Sequence, residues 1–365
     1  MSDIRSRKGR HIRISLDERV EADVPTGFED VTLVHRCLPE IDLDDVDMST
    51  TLFGHKLSAP FIISAITGGT DEAGKINETL AKTAEKFGIG IGVGSQRVAI
   101  EHPEVEGTFS VVREVAPNAF VMANLGCPQL ALGWGAKQAK KAIGMVDADA
   151  LAIHMNPLQE AVQVRGDTKY AGILGKVKEL AASLDTPLVM KETGCGISKE
   201  DAARLDNAGV AGFEISGLGG TSWAAVEHHI AREVGEPLQE YLGKSMWNWG
   251  IPSASSLIEV RTSTEKVVIA SGGLRTGQDA ARALSLGADA IGIAKPFMEK
   301  AVQGSKALEE HVEAILAELR VCMFLVGAKN IKEMRRVSAV VTGWTAEWLR
   351  ARGLDPALYA ARGGG

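Results

Sequence analysis

The sequence predicts an α/β protein, a (β/α)8 TIM barrel, on three observations. From about residue 60 a unit recurs: a short β-rich apolar run, a Gly-rich or polar turn, then a stretch rich in Ala, Leu, Lys and Glu, an order that builds parallel strands. The unit occurs eight times, which makes a closed barrel the economical topology. No GxGxxG turn follows the first run, as a doubly wound sheet would usually require.

The apolar runs are residues 61–67, 89–94, 119–124, 150–154, 187–191, 210–216, 266–271 and 288–294. Between them, residues 73–86, 137–146, 173–183, 199–207 and 278–285 carry apolar side chains at helical spacing, so helices are expected to cover the outer faces of the strands. Three segments depart from the repeat. Residues 1–58 form an extension whose head is basic, with Arg5, Arg7, Lys8, Arg10 and Arg13, and which turns acidic over residues 42–47. Residues 217–255 exceed the usual βα connection, carry Trp223, Trp247 and Trp249, and are expected to act as a lid or a subunit contact. The barrel is expected over residues 59–342, leaving 343–365 as a frayed tail that ends in three glycines.

Composition narrows the function. A chain of 365 residues with 45% hydrophobic and 24% charged residues can bury a large core. A formal net charge of −7 argues against a nucleic-acid or membrane-surface binder, because such proteins usually present a basic face. Small-molecule partners are expected. Cys37, Cys127, Cys195 and Cys322 lie far apart with no CxxC pair, as in a reduced cytoplasmic protein. The first residues lack the apolar run of a signal peptide, and no stretch reaches the ~20 apolar residues needed to span a bilayer.

In parallel barrels the chemistry sits at the carboxyl ends of the strands. The residues there are Thr67-Gly68-Gly69, Ser95-Gln96-Arg97, Asn124, His154 through Glu160, Lys191-Glu192, Ser216, Ser271 through Arg275, and Ala294-Lys295. After the seventh run, Gly272 and Gly273 let backbone N–H groups approach an anion, Arg275 adds a cation, and a helix follows near Thr276-Gly277, which describes a phosphate site. Lys191 closes an apolar run, so its ammonium needs an anionic partner. Reduced flavin is one candidate, and a structural ion pair with Glu192 or Glu214 is the other. His154, Asn156, Gln159 and Glu160 gather neutral donors, an acid/base group and a carboxylate. With substrate phosphate oxygens and water, Glu160 would suit Mg²⁺, which takes few protein ligands. Arg7-Lys8 and Ser95-Gln96-Arg97 imply a second anion beyond a single flavin phosphate.

These segments resemble the type 2 isopentenyl-diphosphate isomerases, the flavin-dependent form. The matching segments run in order through Arg7-Lys-Gly-Arg-His11, Ser64-Ala-Ile-Thr-Gly-Gly69, Gly94-Ser-Gln-Arg97, Ile153-His-Met-Asn-Pro-Leu-Gln-Glu-Ala161, Lys191-Glu-Thr-Gly-Cys-Gly196, Ser216-Gly-Leu-Gly-Gly-Thr-Ser-Trp223 and Ser271-Gly-Gly-Leu-Arg275 to Met323-Phe-Leu-Val-Gly327. The resemblance implies interconversion of isopentenyl and dimethylallyl diphosphate with FMN, reduced by NADPH, and Mg²⁺, in a homo-oligomer of four or eight copies. It assigns Arg7, Lys8, Ser95, Gln96, Arg97, His154, Asn156 and Gln159 to substrate, with Gln159 and His154 as catalytic residues and Glu160 as the Mg²⁺ ligand. It assigns Ala65, Ile66, Thr67, Ser95, Asn124, Lys191, Ser216, Thr221, Gly272, Gly273, Arg275, Ala294 and Lys295 to FMN. Three positions depart from the family pattern: Glu214 stands where aspartate is expected, Arg165 where Glu is common, and Lys295 where Gly or Arg often lies.

Three other readings compete with this one. A nucleotide dehydrogenase barrel needs a cysteine nucleophile after the sixth strand, and no cysteine lies between Cys195 and Cys322. A flavin barrel oxidising 2-hydroxy acids needs a histidine base near the end of the seventh strand, and no histidine lies between His229 and His311. A flavin- or phosphate-binding module without catalysis is disfavoured by the density of polar groups at the strand ends.

Overall fold

The computed structural model describes residues 2–362, with side chains from Gly9 onward. Its centre is a closed barrel of eight parallel strands. They are β1 (Phe61–Ile63), β2 (Gly90–Gly92), β3 (Val121–Gly126), β4 (Ala150–Met155), β5 (Leu188–Glu192), β6 (Gly212–Glu214), β7 (Val267–Ala270) and β8 (Ala290–Ile293). Neighbours in the chain are neighbours in the barrel, and β8 closes onto β1 through Ile291↔Phe61. The eight runs expected from the sequence are these eight strands.

Strand residues are buried almost without exception because the two faces meet two different cores. Ile62, Phe120, Met122, Ala150, Ala152, Val189, Ile269 and Ala290 fill the barrel interior together with Leu52 and Leu57. The last two come from a hairpin of strands Thr50–Leu52 and His55–Leu57, which stoppers the amino-terminal end of the barrel and stacks Phe53 on Phe120 at 6.1 Å. The opposite strand faces join the helices in the larger outer core. Both faces are therefore apolar, as all-parallel sheets require.

Helix ends follow local chemistry. The helix over residues 71–87 starts behind Thr70, whose hydroxyl accepts from the Ala73 N–H, and stops at Gly88 in the left-handed conformation with φ +60°. The helix after β7 spans Gly277–Ser285 and begins with a reciprocal cap between Thr276 and Asp279.

The extension and the tail are parts of one packed unit. Strand Val31–Leu33 pairs antiparallel with strand Ala339–Val341, tying the two ends of the chain together. The segment after Thr342 departs from the expected frayed tail. Helix Gly343–Ala351 buries Ala346 and Leu349, Trp348 Nε1 donates to Glu259 Oε1 at 2.8 Å, and Tyr359 is buried near the last described residue. Apolar residues at helical spacing in this stretch outweigh the terminal position.

The long connection after β6 folds into two helices, α2 (Trp223–Val234) and α3 (Pro237–Ser245). The basic head forms α1 (Ser2–Asp17), and it lies on α2. Ile14 and Val20 pack with Ala225, Val226 and Ile230, flanked by Trp223 and Trp247. Arg13 forms a two-pronged pair with Glu233 at 2.6 and 2.8 Å. The tryptophan-bearing loop thus serves as the platform on which the amino-terminal helix docks. Among the described residues no helix is long and apolar enough to cross a membrane.

Candidate active site

A cavity of about 320 Å³ opens at the carboxyl ends of the strands. Every barrel strand or the loop after it contributes to the wall, and α1 contributes His11, Ile12 and Ser15 from above. Strand register sets the floor. Gly126 pairs with His154, His154 with Lys191, and Lys191 with Glu214, so three polar side chains stand at one level across β4, β5 and β6.

Most of the side chains singled out in the sequence meet in this cavity. Ala65, Ile66, Thr67, Ser95, Arg97, Asn124, His154, Asn156, Gln159 and Glu160 line one half. Lys191, Ser216, Thr221, Gly272, Gly273, Arg275, Ala294 and Lys295 line the other. Gln96 is the exception. It is fully buried, its amide donates to Ala142 O at 2.8 Å, and its Oε1 accepts from the Asn124 N–H at 2.9 Å. The strand turn after residue 95 points Gln96 into the helix layer, so its expected substrate contact gives way to a structural role. Arg7 and Lys8 lie outside the residues whose side chains are described.

Asn124 links that buried layer to the cavity. Its Nδ2 donates to Val93 O at 3.1 Å and its Oδ1 faces His154 Nδ1 at 2.8 Å. An amide oxygen cannot donate, so His154 carries its proton on Nδ1 and presents Nε2 as the acceptor of the neutral ring.

The segment after β4 forms a network anchored on helix Pro157–Val162. Asn156 Nδ2 donates to Gln159 Oε1 and to Glu160 Oε1, each at 3.0 Å, and Tyr170 Oη donates to Asn156 Oδ1 at 3.2 Å. Gln159 Nε2 donates to Glu227 Oε1 at 2.9 Å, and His11 Nε2 meets the same oxygen at 3.1 Å. Glu227 is 1% exposed, and His11 sits edge-on to Trp223 with ring centroids 5.2 Å apart. Sequence reasoning gave no part in the site to His11, to Trp223, which it placed only in the expected lid or subunit contact, or to Glu227. The first two lay inside matched motifs, whereas Glu227 follows Trp223 by one helical turn and carried no signal of its own.

Three features test whether a flavin phosphate and ring fit here. First, Gly272 and Gly273 have φ of +97° and +81°, and a Cβ on either would strike the backbone of the loop after β6. Their N–H groups take part in no hydrogen bond among the described residues. Second, Ser216 adopts φ +34°, an uncommon conformation for a non-glycine residue, with its N–H held by Ser271 Oγ at 3.0 Å. Third, Glu214 is wholly buried against the cavity, and its Oε2 has no hydrogen-bond partner. Unpaired backbone donors between glycines suit a phosphate, and the residues therefore fit FMN.

Charge around the cavity is already organised. Lys191 pairs with Glu214 and not with Glu192. Glu192 instead accepts the N–H groups of Thr193, Gly194 and Cys195 through Oε2, fixing the loop after β5, while burial pushes its carboxyl up to about 7. Lys295 is held by Glu21 of the strap that follows α1, with Glu299 at 3.6 Å. Arg97 bridges Glu101 and Asp167 at 3.0 Å each. Glu160 accepts from Asn156, from Gln163 and from the Asp167 N–H at 2.7 Å. No group of three or more His, Cys, Asp or Glu side chains suited to a metal occurs among the described residues. A Mg²⁺ ion here would therefore rest on one protein carboxylate plus oxygens of its ligand and of water.

Comparison with known proteins agrees with this geometry. The FMN-dependent dehydrogenase family matches residues 15–107 and 117–340. Isopentenyl-diphosphate delta-isomerase of Methanococcoides burtonii is 48% identical over 352 residues, covering 96% of each chain. The enzymes of that name from Methanosarcina barkeri and Pyrococcus furiosus are each 46% identical, covering 100% and 95% of this chain and 99% and 89% of theirs. A mandelate oxidase structure superposes with a TM-score of 0.63 at 19% identity, covering 92% of this chain and 95% of that one, which speaks to the fold alone. The chain belongs to the FMN-dependent dehydrogenase family and, within it, to the isopentenyl-diphosphate delta-isomerases.

Proposed function

We propose that the chain interconverts isopentenyl and dimethylallyl diphosphate, with FMN kept reduced by NADPH and with Mg²⁺ on the diphosphate. The observation that carries this reading is the Asn156–Gln159–Glu227–His11 network at the cavity wall opposite the glycine cradle. It places a neutral amide in the cavity, with a buried carboxylate directly behind it.

Reduced FMN supplies an electron-rich ring that stabilises positive charge developing when an unactivated alkene is protonated. The protein's own groups do the rest. Gln159 is a weak base by itself, but its amide is locked between Asn156 and Glu227, so a proton leaving a substrate carbon meets a fixed acceptor with a carboxylate one hydrogen bond away. The Arg97 guanidinium offers a cation for diphosphate oxygens on the side of Glu160, and His154 lines the same wall with Nε2 as an acceptor. Docking of α1 over the mouth brings His11, Ile12 and Ser15 into the wall and limits water, which strengthens each of these interactions. Exposed Val234, Leu238, Tyr241 and Trp249 on and beside α2 and α3 support association into a homo-oligomer.

Anaerobic incubation with FMN, NADPH, Mg²⁺ and isopentenyl diphosphate in deuterated water should give deuterium-labelled dimethylallyl diphosphate. A flavin-containing protein that forms no product and exchanges no deuterium would leave the non-catalytic reading standing. The metal assignment has its own check. Glu160→Gln should raise the Mg²⁺ concentration needed for half-maximal rate at least tenfold, or about 1.4 kcal/mol, and an unchanged Mg²⁺ titration would remove Glu160 from that role.

A further inference from the structure

Glu214 ends β6 in register with Lys191, and none of the roles described so far uses it. Its carboxylate is wholly buried, yet it faces the cavity. Oε1 accepts from Ser64 Oγ at 2.7 Å and from Lys191 Nζ, whereas Oε2 has no partner. Gly292 on β8 leaves room for this arrangement: a Cβ there would stand 3.2 Å from Glu214 Oε1 and 2.3 Å from Ser64 Oγ. A pair built only to hold strands together would satisfy both oxygens, because an unpaired buried acceptor is costly. This one concentrates its donors on one oxygen, next to the cation at the floor of the ring site.

We propose that Glu214 is a positioning residue that sets the reduction potential of the bound flavin by fixing and partly neutralising the Lys191 ammonium. The proposal rests on the FMN reading above. A flavin gains negative charge when reduced, so an uncompensated cation beside it favours the reduced form. A carboxylate clamped to that cation cancels part of the effect. It keeps the potential low and the reduced ring electron-rich, which is the property the isomerisation draws on.

The test uses the full-length FMN-loaded protein and compares the two-electron midpoint potential, by equilibration with a reference dye, in wild type, Glu214→Gln and Glu214→Asp. Glu214→Gln should move the reduced-to-oxidised ratio at fixed potential at least tenfold toward reduced, a rise of about 30 mV for a two-electron couple. Glu214→Asp, which keeps the charge, should stay within about threefold of wild type. A Gln variant that loses thermal stability or FMN affinity but keeps its potential shows a purely structural residue and overturns the proposal. So does an Asp variant that shifts as far as Gln. Ser64→Ala serves if Glu214→Gln does not fold. It strips a donor from the carboxylate and should lower the potential, and no change there is equally fatal. A wild-type chain that takes up no FMN overturns the flavin reading itself, and that outcome is seen before any variant is made.

Discussion

Replacing Gln159 by alanine should lower kcat by about 10²–10⁴-fold, the range for loss of a positioned proton-transfer group, while FMN affinity stays within about threefold of wild type. The size follows from what the side chain does. Its Oε1 is fixed by Asn156 at 3.0 Å and its Nε2 by Glu227 at 2.9 Å. Alanine would remove the only amide between the cavity and the Glu227 carboxylate in that network, and would leave a buried carboxylate with His11 as its remaining partner there. The side chain is partly buried and the change is large to small, so a modest loss of stability is also expected, and turnover should be measured well below the melting temperature. Single-turnover rates on the reduced enzyme, with flavin binding followed separately by fluorescence, separate the two effects. Undiminished turnover would show that Gln159 merely packs, and the proton would then have to be assigned elsewhere, with His154 next in line because it also lines the cavity.

Much of this site could be read before the fold was known, because barrel strands impose one rule: the residue that ends each apolar run stands at the mouth. His154, Lys191, Ser216 and Ser271 follow that rule. What could not be read was direction within a loop. Ser95, Gln96 and Arg97 are consecutive, yet only Ser95 and Arg97 face the cavity, while Gln96 turns into the helix layer to bond Ala142 and Asn124. Nor could the partner of Lys191 be chosen between Glu192 and Glu214. Adjacent residues on a strand point to opposite faces, which favours the cross-strand neighbour, and β5–β6 register places Glu214 there. Glu227 was invisible for a different reason. It sits in a long connection outside the eightfold repeat, and its relation to Gln159 is purely tertiary. The tail packs because Trp348, Leu349 and Tyr359 close over Glu259 and the outer core, which outweighs the fraying expected of a terminal position.

Gly272→Ala should cost FMN affinity at least 100-fold, or about 2.7 kcal/mol, with little change in secondary structure. Two independent constraints meet at this residue. Its φ of +97° is strained for any side chain, and the added Cβ would lie 2.2 Å from Gly217 O and 2.5 Å from Gly217 N. Both obstacles are backbone atoms of the loop after β6, so no flexible side chain can yield. The strand ends must separate instead. That motion displaces the unpaired N–H groups of Gly272 and Gly273, and it also pulls on Ser253, whose Oγ donates to Gly272 O at 2.5 Å. Positive-φ strain alone is worth ~1–3 kcal/mol, and the clash adds to it. Gly175 is the matched control. It lies in helix Ile173–Ser183, has nothing within 4 Å of a built Cβ, and as alanine should leave FMN binding unchanged while stabilising the helix by ~0.5–1 kcal/mol. Titrating apo protein with FMN decides the matter. If Gly272→Ala binds FMN as tightly as the Gly175→Ala control, the loops after β6 and β7 are not the phosphate cradle, and the anion must be sought at Arg97 and the Glu160 segment across the mouth.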